Sequence, residues 1–321
     1  MYISIKKGRL KMIIYSDYFF PSSDGKSQIH VNKWVPENGP LKGVVQIAHG
    51  VAEYGKRYDR FATFLAERGY VVVANDHLGH GLSLIENSPM VYFGEKGSWW
   101  YPVEDVEKLR EMTHSEYRDL PYFLFGHSMG SFISRSHLIK YPGRLDGCIL
   151  CGTGFLNKFM VTGGKLVANI EVKRVGGKGY SKLADKLAFG SYNNAFKPQR
   201  TEFDWLSLND ENVDNYINDP LCGMPTTVGL FRELLEGLSY DNNKDNIATM
   251  DKDQPILFIS GDKDPVGEMG KGVKKAYETF KSVGIKDVEM KLYENLRHEI
   301  LNEKEYETVQ SDVLDWLERH I

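Results

Sequence analysis

The apolar positions of this chain follow two alternating rhythms. Val288–Tyr293 reads as one strand, and short apolar runs recur at Gly43–Ala48, Tyr70–Ala74, Tyr122–Phe125, Gly147–Cys151 and Pro255–Ser260. Such runs read as strands buried on both faces. Between them lie stretches with apolar residues three and four apart, the spacing of a helix face. These are Tyr58–Arg68 before Gly69, Val103–His114, the segment carrying Phe132, Ile133 and Ile139, and Gly272–Val283. A last helix carries Val309, Val313, Trp316 and Leu317, with Asn302 and Glu305 spaced as a capping box at its start. Ahead of them, Asp17–Phe20 and Gln28–Trp34 flank a turn at Ser22–Gly25 and predict an antiparallel pair. Strands alternating with helices predict an α/β fold: a mostly parallel central sheet with helices on both faces.

The alternation fails between Thr153 and Asp251, where glycine-rich turns separate short amphipathic pieces and no strand is legible. That stretch reads as an inserted, mainly helical cap over the carboxyl edge of the sheet, where open α/β sheets bind ligands. The domain reading is therefore an N-terminal extension (1–16), poorly ordered before Met12, a first core part (17–152), the cap (153–251) and a second core part (252–321). The cap's charge is uneven. Residues 157–200 hold nine Lys/Arg against two Asp/Glu, and residues 201–219 hold six Asp/Glu and no Lys/Arg. A solvated face on each half explains this. A sharper reading is a basic rim beside Phe159, Met160, Leu166, Val167 and Ile170, suited to transient contact with an anionic lipid surface.

Composition narrows the field further. A net charge of −4 lacks the footprint of a nucleic-acid binder. Three cysteines, an odd number, argue against a disulfide framework. Cys148 and Cys151 read as buried thiols of a core strand rather than a redox or metal motif. With no bilayer-length apolar run and no signal-peptide pattern at the N-terminus, a cytoplasmic protein is the expectation.

The chemistry starts at Gly126-His-Ser-Met-Gly130, a Gly-x-Ser-x-Gly between a buried-type strand and a helix. This is the pattern of a nucleophile elbow, in which a sharp turn strains the serine backbone and lifts its hydroxyl clear of the sheet. A serine needs a base, and the base needs a third group to orient it. His298, just after a late strand, is the candidate base; His320 lies on the last helix, where exposure is expected. Asp264, three residues after the glycine ending Ile256–Ser260, is the candidate acid. Asp262 is the alternative, better read as a turn residue, and Asp251 lies too far upstream. The oxyanion amides expected are those of Met129, after the nucleophile, and Val51, after His49-Gly50. His77 and His80 invite a zinc reading, but no third and fourth ligand is offered, so a loop shaping the sheet edge is preferred. No cofactor or metal is implied.

Five stretches in order resemble the monoacylglycerol lipase and lysophospholipase group of serine α/β-hydrolases. They are His49-Gly-Val-Ala-Glu-Tyr-Gly-Lys-Arg57-Tyr58, Asn75-Asp-His-Leu-Gly-His-Gly-Leu-Ser83, Gly126–Gly130, Gly261-Asp-Lys-Asp-Pro-Val266 and Arg297-His298. The resemblance covers the sheet domain from Asp17 onward and is weakest in the cap. It implies an α/β-hydrolase fold, with Ser128 as nucleophile, Asp264 as acid, His298 as base and the Val51 and Met129 amides as oxyanion donors. It also suggests that Glu53 and Arg57 pair to hold the oxyanion loop, against an exposed ion pair as the alternative. The expected activity is hydrolysis of single-chain lipid esters, monoacylglycerols or lysophospholipids. A small-molecule or aryl esterase, a serine aminopeptidase with an acidic clamp from Glu202–Asp219, and a non-enzymatic binding module stand as rivals.

Overall fold

In the computed structural model, which describes residues 2–4 and 11–321, nine strands form one sheet. They are β1 (Tyr2–Ser4), β2 (Lys11–Pro21), β3 (Gln28–Pro36), β4 (Gly43–Ala48), β5 (Tyr70–Asn75), β6 (Tyr122–His127), β7 (Gly147–Cys151), β8 (Ile256–Gly261) and β9 (Val288–Tyr293). Their order is β1-β2-β3-β5-β4-β6-β7-β8-β9. The β1–β2, β2–β3 and β3–β5 pairings are antiparallel, and β5, β4, β6, β7, β8 and β9 run parallel to one another. The antiparallel pair begins earlier than the alternation around Asp17 predicts. Ile13 already pairs with Pro36, so residues 11–16 belong to the sheet rather than to an extension. The expected disorder before Met12 falls largely on residues 5–10, outside the described residues.

The unbroken apolar runs have a physical cause in two separate cores. Val44, Val71, Val73, Leu124, Cys148 and Leu150 bury on one face with Val103, Ile133 and Phe280. Val45, Val72, Phe123, Phe125, Ile149 and Cys151 bury on the other with Phe61, Val313 and Trp316. Successive side chains alternate between faces, so a strand covered on both sides has no solvent-facing position to spend on a polar residue. Cys148 and Cys151, three apart, consequently point into opposite cores.

The helices of the sheet layers are α1 (Asp59–Ala66), α2 (Trp100–Glu116), α3 (Met129–Lys140), α9 (Lys271–Ser282) and α10 (Tyr306–Glu318). The last begins later than its sequence signature predicts. The Asn302 side chain is engaged elsewhere, donating to Glu299 and accepting from Arg60, so no capping box forms and the helix starts at Tyr306. Between β7 and β8 the described residues form helices only: α4 (Lys158–Val175), α5 (Lys182–Ala188), α6 (Asp210–Asn218), α7 (Val228–Asp241), α8 (Lys244–Ile247) and short 3-10 turns. Four of these start on side-chain caps of the expected kind: Asn157 accepts from the Met160 amide, Ser181 from the Ala184 amide, Thr227 from the Leu230 amide and Asn243 from the Asp245 amide.

Candidate active site

The turn from β6 to α3 leaves Ser128 at φ 53°, ψ −121°, a left-sided backbone that a residue with a Cβ adopts only under constraint. The flanking glycines supply part of that constraint. A Cβ at Gly130 would stand 2.0 Å from the Ala48 carbonyl oxygen, and one at Gly126 would stand 2.3 Å from Ser134 Oγ. Helix α3 can therefore begin directly against β4 only because position 130 has no side chain. The Ser128 amide donates to Cys151 O at 2.9 Å, which ties the elbow to the neighbouring strand end.

Asp264 and His298 follow β8 and β9 and meet in the interior. His298 Nδ1 lies 2.9 Å from Asp264 Oδ2. The same carboxylate accepts from Ser260 Oγ at 3.1 Å and, through Oδ1, from the Val266 amide at 2.9 Å. Burial works against the His298 imidazolium. The Asp264 charge and hydrogen bond outweigh it, helped by Glu299 and Glu53, so the pKa is raised above the ordinary histidine value. Asp262 is engaged differently: its Oδ1 accepts the Asn295 amide at 2.8 Å and joins the loop after β8 to the loop after β9. His320 sits at the far end of α10 against Trp316 O and Asp287.

Ser128, His298 and Val51 line one cavity of about 590 Å³, together with His127, Glu53 and Glu299. The segment between β7 and β8 supplies its other wall, including Phe189, Trp205, Leu206, Tyr216 and Met224. Asp264 is fully buried behind His298 and is not part of the wall. The His298 ring is held between two others, with its centroid 4.7 Å from that of His127 and 5.1 Å from that of Trp205. Burial, and then the charge of His298, push the pKa of His127 well down, so the elbow carries a neutral imidazole beside the raised one. The Met129 amide opens α3 next to Ser128, and the Val51 amide lies in the loop after β4. Among the described residues neither donates to a protein carbonyl. A helix N-terminus and a loop amide at the cavity that Ser128 lines are the kinds of donor that can receive an oxyanion.

That loop is fastened from beneath. Glu53 Oε1 accepts the Gly50 amide at 2.6 Å and the Tyr58 hydroxyl at 3.0 Å, and Glu53 Oε2 accepts from Arg57 at 2.7 Å. The pair is buried, not exposed: the Arg57 and Glu53 side chains are 11% and 4% accessible. The same guanidinium grips Glu299, which the sequence reading did not single out. Burial raises the Glu299 carboxyl, but the Arg57 charge and hydrogen bonds, with Asn212, hold it down to about 2. Glu299 carries no motif of its own; its position beside His298 was the available signal. Trp205 and Tyr216 had none, because they lie in the irregular segment. His77 and His80 pack around buried His49, with ring centroids 4.3 and 5.5 Å from it. The His77 amide donates to His49 Nε2 at 2.8 Å, so this group braces the base of the same loop.

The sheet order and the strained serine define an α/β-hydrolase with a nucleophile elbow. Residues 39–305 match the Hydrolase_4 family, described as serine aminopeptidase S33, and the chain belongs to that family. It is a carboxylester hydrolase by class. A monoacylglycerol lipase of Mycolicibacterium smegmatis is 30% identical over 298 residues, covering 92% of this chain and 95% of the relative. The monoglyceride lipase of Rattus norvegicus is 27% identical over 282 residues, covering 88% and 82%. Among solved structures, a thermostable carboxyl esterase from Bacillus coagulans in complex with glycerol superposes with a TM-score of 0.88 at 28% identity, covering 95% of this chain and 98% of its own. A soluble variant of Saccharomyces cerevisiae monoglyceride lipase superposes with a TM-score of 0.71 at 21% identity, covering 98% and 97%; this supports the fold. No described helix is long and apolar enough to cross a membrane.

Proposed function

We propose that the chain hydrolyses single-chain lipid esters, monoacylglycerols or lysophospholipids, through Ser128, His298 and Asp264. The observation that carries this reading is the buried His298–Asp264 bond of 2.9 Å behind a cavity wall that also bears Ser128. With Nδ1–H donating to Asp264, the neutral imidazole presents its Nε2 lone pair as the base. His298 Nε2 takes the Ser128 proton as Oγ attacks the ester carbonyl carbon. The oxyanion forms beneath the Val51 and Met129 amides. Collapse of this adduct breaks the bond to the alcohol oxygen, which leaves with the proton from His298, and an acyl-serine remains. Water then gives a proton to His298 and its oxygen to the acyl carbon; collapse breaks the Ser128 Oγ–acyl bond, His298 returns the proton to Oγ, and the acid departs.

A cavity of about 590 Å³ with Phe189, Leu206 and Met224 on its wall suits an acyl chain. In this reading residues 153–251 act as the cap. Its helix α4 leaves Phe159 (89% accessible), Leu166 and Ile170 exposed beside Lys158, Lys165 and Lys173, which suits contact with an anionic lipid surface. Three free, buried cysteines fit a reducing cytoplasm. A small-ester or aryl esterase remains the second reading, favoured by the superposition on the Bacillus coagulans carboxyl esterase.

The test is purified chain on 1-monoacylglycerol, lysophosphatidylcholine, p-nitrophenyl esters of rising chain length and amino-acid anilides, with Ser128→Ala alongside. Turnover of long-chain monoacyl lipids that Ser128→Ala abolishes is the expected result. A preference for acetyl or aryl esters selects the second reading. Anilide cleavage without ester cleavage, or an active Ser128→Ala protein, defeats both.

A further inference from the structure

We infer that the inserted segment sets the oxyanion loop through Tyr216, which acts as a positioning residue by holding Ala52 in a left-handed conformation. The inference rests on the roles proposed above for Ser128 and the Val51 amide. Ala52 follows Val51 directly and has φ 53°, a conformation that L residues with a Cβ rarely adopt. Such a residue persists there only where its surroundings over-determine it. The surroundings are specific. The Ala52 carbonyl accepts two hydrogen bonds, from the Tyr216 hydroxyl at 3.1 Å and from the Gly223 amide at 3.0 Å. Both donors lie between β7 and β8, and Tyr216 is 164 residues away in the chain. One turn further on, Tyr54 donates its hydroxyl to Asp219 Oδ2 at 2.8 Å, in the same inserted stretch.

The loop is thus fastened from two sides. Glu53 holds the Gly50 amide from the sheet side, and residues 216–223 hold Ala52 and Tyr54 from the other. The Val51 peptide lies between these ties, so its N–H direction follows from them. Tyr216 is itself fixed. The Arg57 guanidinium lies 4.9 Å from its ring centroid, and the Phe203 ring packs at 5.3 Å. Gly223 stands at φ +69°, and a Cβ there would come within 3.3 Å of the Tyr216 ring, so the turn and the ring fit only together. Two features that substrate preference and catalysis treat as separate, the cavity's outer wall and its oxyanion donor, are one hydrogen-bonded unit. Displacement of the inserted segment removes both carbonyl donors from Ala52 and releases the strained peptide beside Val51.

The experiment is steady-state hydrolysis of p-nitrophenyl butyrate by the full chain, with wild type, Ser128→Ala, Tyr216→Phe and the Tyr216→Phe/Ala52→Gly double variant. Tyr216→Phe keeps the ring on the cavity wall and removes the hydroxyl alone. The expected result is a fall in kcat of about tenfold with KM within about twofold, the signature of an interaction that matters in the transition state. Labelling of Ser128 by a fluorophosphonate slows in parallel. Glycine at 52 takes the left-handed conformation without a Cβ penalty, so the double variant regains at least half of the loss on a logarithmic scale. A kcat within twofold of wild type, a rise in KM alone, or a kcat loss that glycine leaves unrepaired overturns the inference. If Tyr216→Phe yields no folded protein, Tyr54→Phe removes the adjacent tie and is held to the same kcat-selective criterion. An inactive wild type or an active Ser128→Ala defeats the proposed function instead, so the two failures are distinguishable.

Discussion

Arg57 and Glu299, 242 residues apart in the chain, meet fork to fork, with Nη1 and Nη2 at 2.8 and 2.9 Å from the two carboxylate oxygens. One belongs to the loop that follows β4 and the other stands immediately after His298. This pair therefore ties the loop bearing the candidate oxyanion amide to the loop bearing the candidate base. Its planar bidentate geometry is one that lysine could not reproduce.

Breaking that pair leaves a buried guanidinium with half its partners. Glu299→Gln is expected to destabilise the fold by about 3 kcal/mol, within the range for removing one member of a buried ion pair. The Glu299 carboxyl is held near 2 in the folded chain against an ordinary value of 4.5. Its stabilisation is thus present above the unfolded-state value and is lost as pH falls from about 4.5 toward 2. Urea unfolding at pH 7 and pH 3 checks both parts: the gap between wild type and variant should be wide at the first and narrow at the second.

The carboxylate that orients His298 is identified by comparing two substitutions. Asp264→Asn is expected to lower kcat about 10³- to 10⁴-fold, since the amide favours the wrong imidazole tautomer. Asp262→Asn, which disturbs the bond to the Asn295 amide and the ion pair with Lys263, should keep kcat within about threefold. Equal losses in the two variants, measured on the same ester, would reject the assignment.

The raised pKa of His298 gives a pH dependence of definite sign. Only the neutral imidazole can accept the Ser128 proton, so kcat/KM must fall as pH drops through the His298 pKa. The midpoint of that acid limb should lie above the ordinary value of about 6.5 and should move down in Asp264→Asn. A pH–rate profile on a neutral ester, from pH 5 to 9, measures both. A limb at or below the ordinary value would contradict the burial and charge argument.

Gly130 is required by space. Ala at this position would place Cβ 2.0 Å from the Ala48 carbonyl oxygen, and both atoms sit in rigid backbone of α3 and β4. Gly130→Ala is expected to cost at least about 4 kcal/mol and to abolish soluble, folded protein. Soluble yield and thermal unfolding decide the point.

The lipid-surface contact is checked on α4. Phe159→Glu with Ile170→Glu should leave hydrolysis of soluble p-nitrophenyl butyrate unchanged. It should lower hydrolysis of monoacylglycerol in anionic vesicles at least about tenfold, the scale of losing one buried aromatic side chain. Equal effects on both substrates would place these residues in packing rather than at a lipid surface.

The strands and the order of the site motifs were legible in the sequence because the forces behind them are local. Gly147–Cys151 and Val288–Tyr293 could be read residue for residue. A strand covered on both faces, such as Gly147–Cys151, must be apolar throughout, and the glycine at 126 is demanded by Gly130 and Ser134 close by in the chain. Signals failed where the deciding partner lay far away in the chain. Lys11–Ser16 carry no clear alternation and become a strand because β3 offers them an edge. Asn302 looks like a helix cap, yet Glu299 and Arg60 claim its side chain. Glu299, Trp205 and Tyr216 gain their places from partners that only folding brings near: Arg57, His298 and the Ala52 carbonyl. The chain by itself determined the layered architecture and the motifs of the candidate site, because periodicity and short-range sterics are written in neighbouring positions. The tertiary structure alone decided how the inserted helices meet the oxyanion loop, because hydrogen bonds between loops depend on distances that sequence separation does not encode.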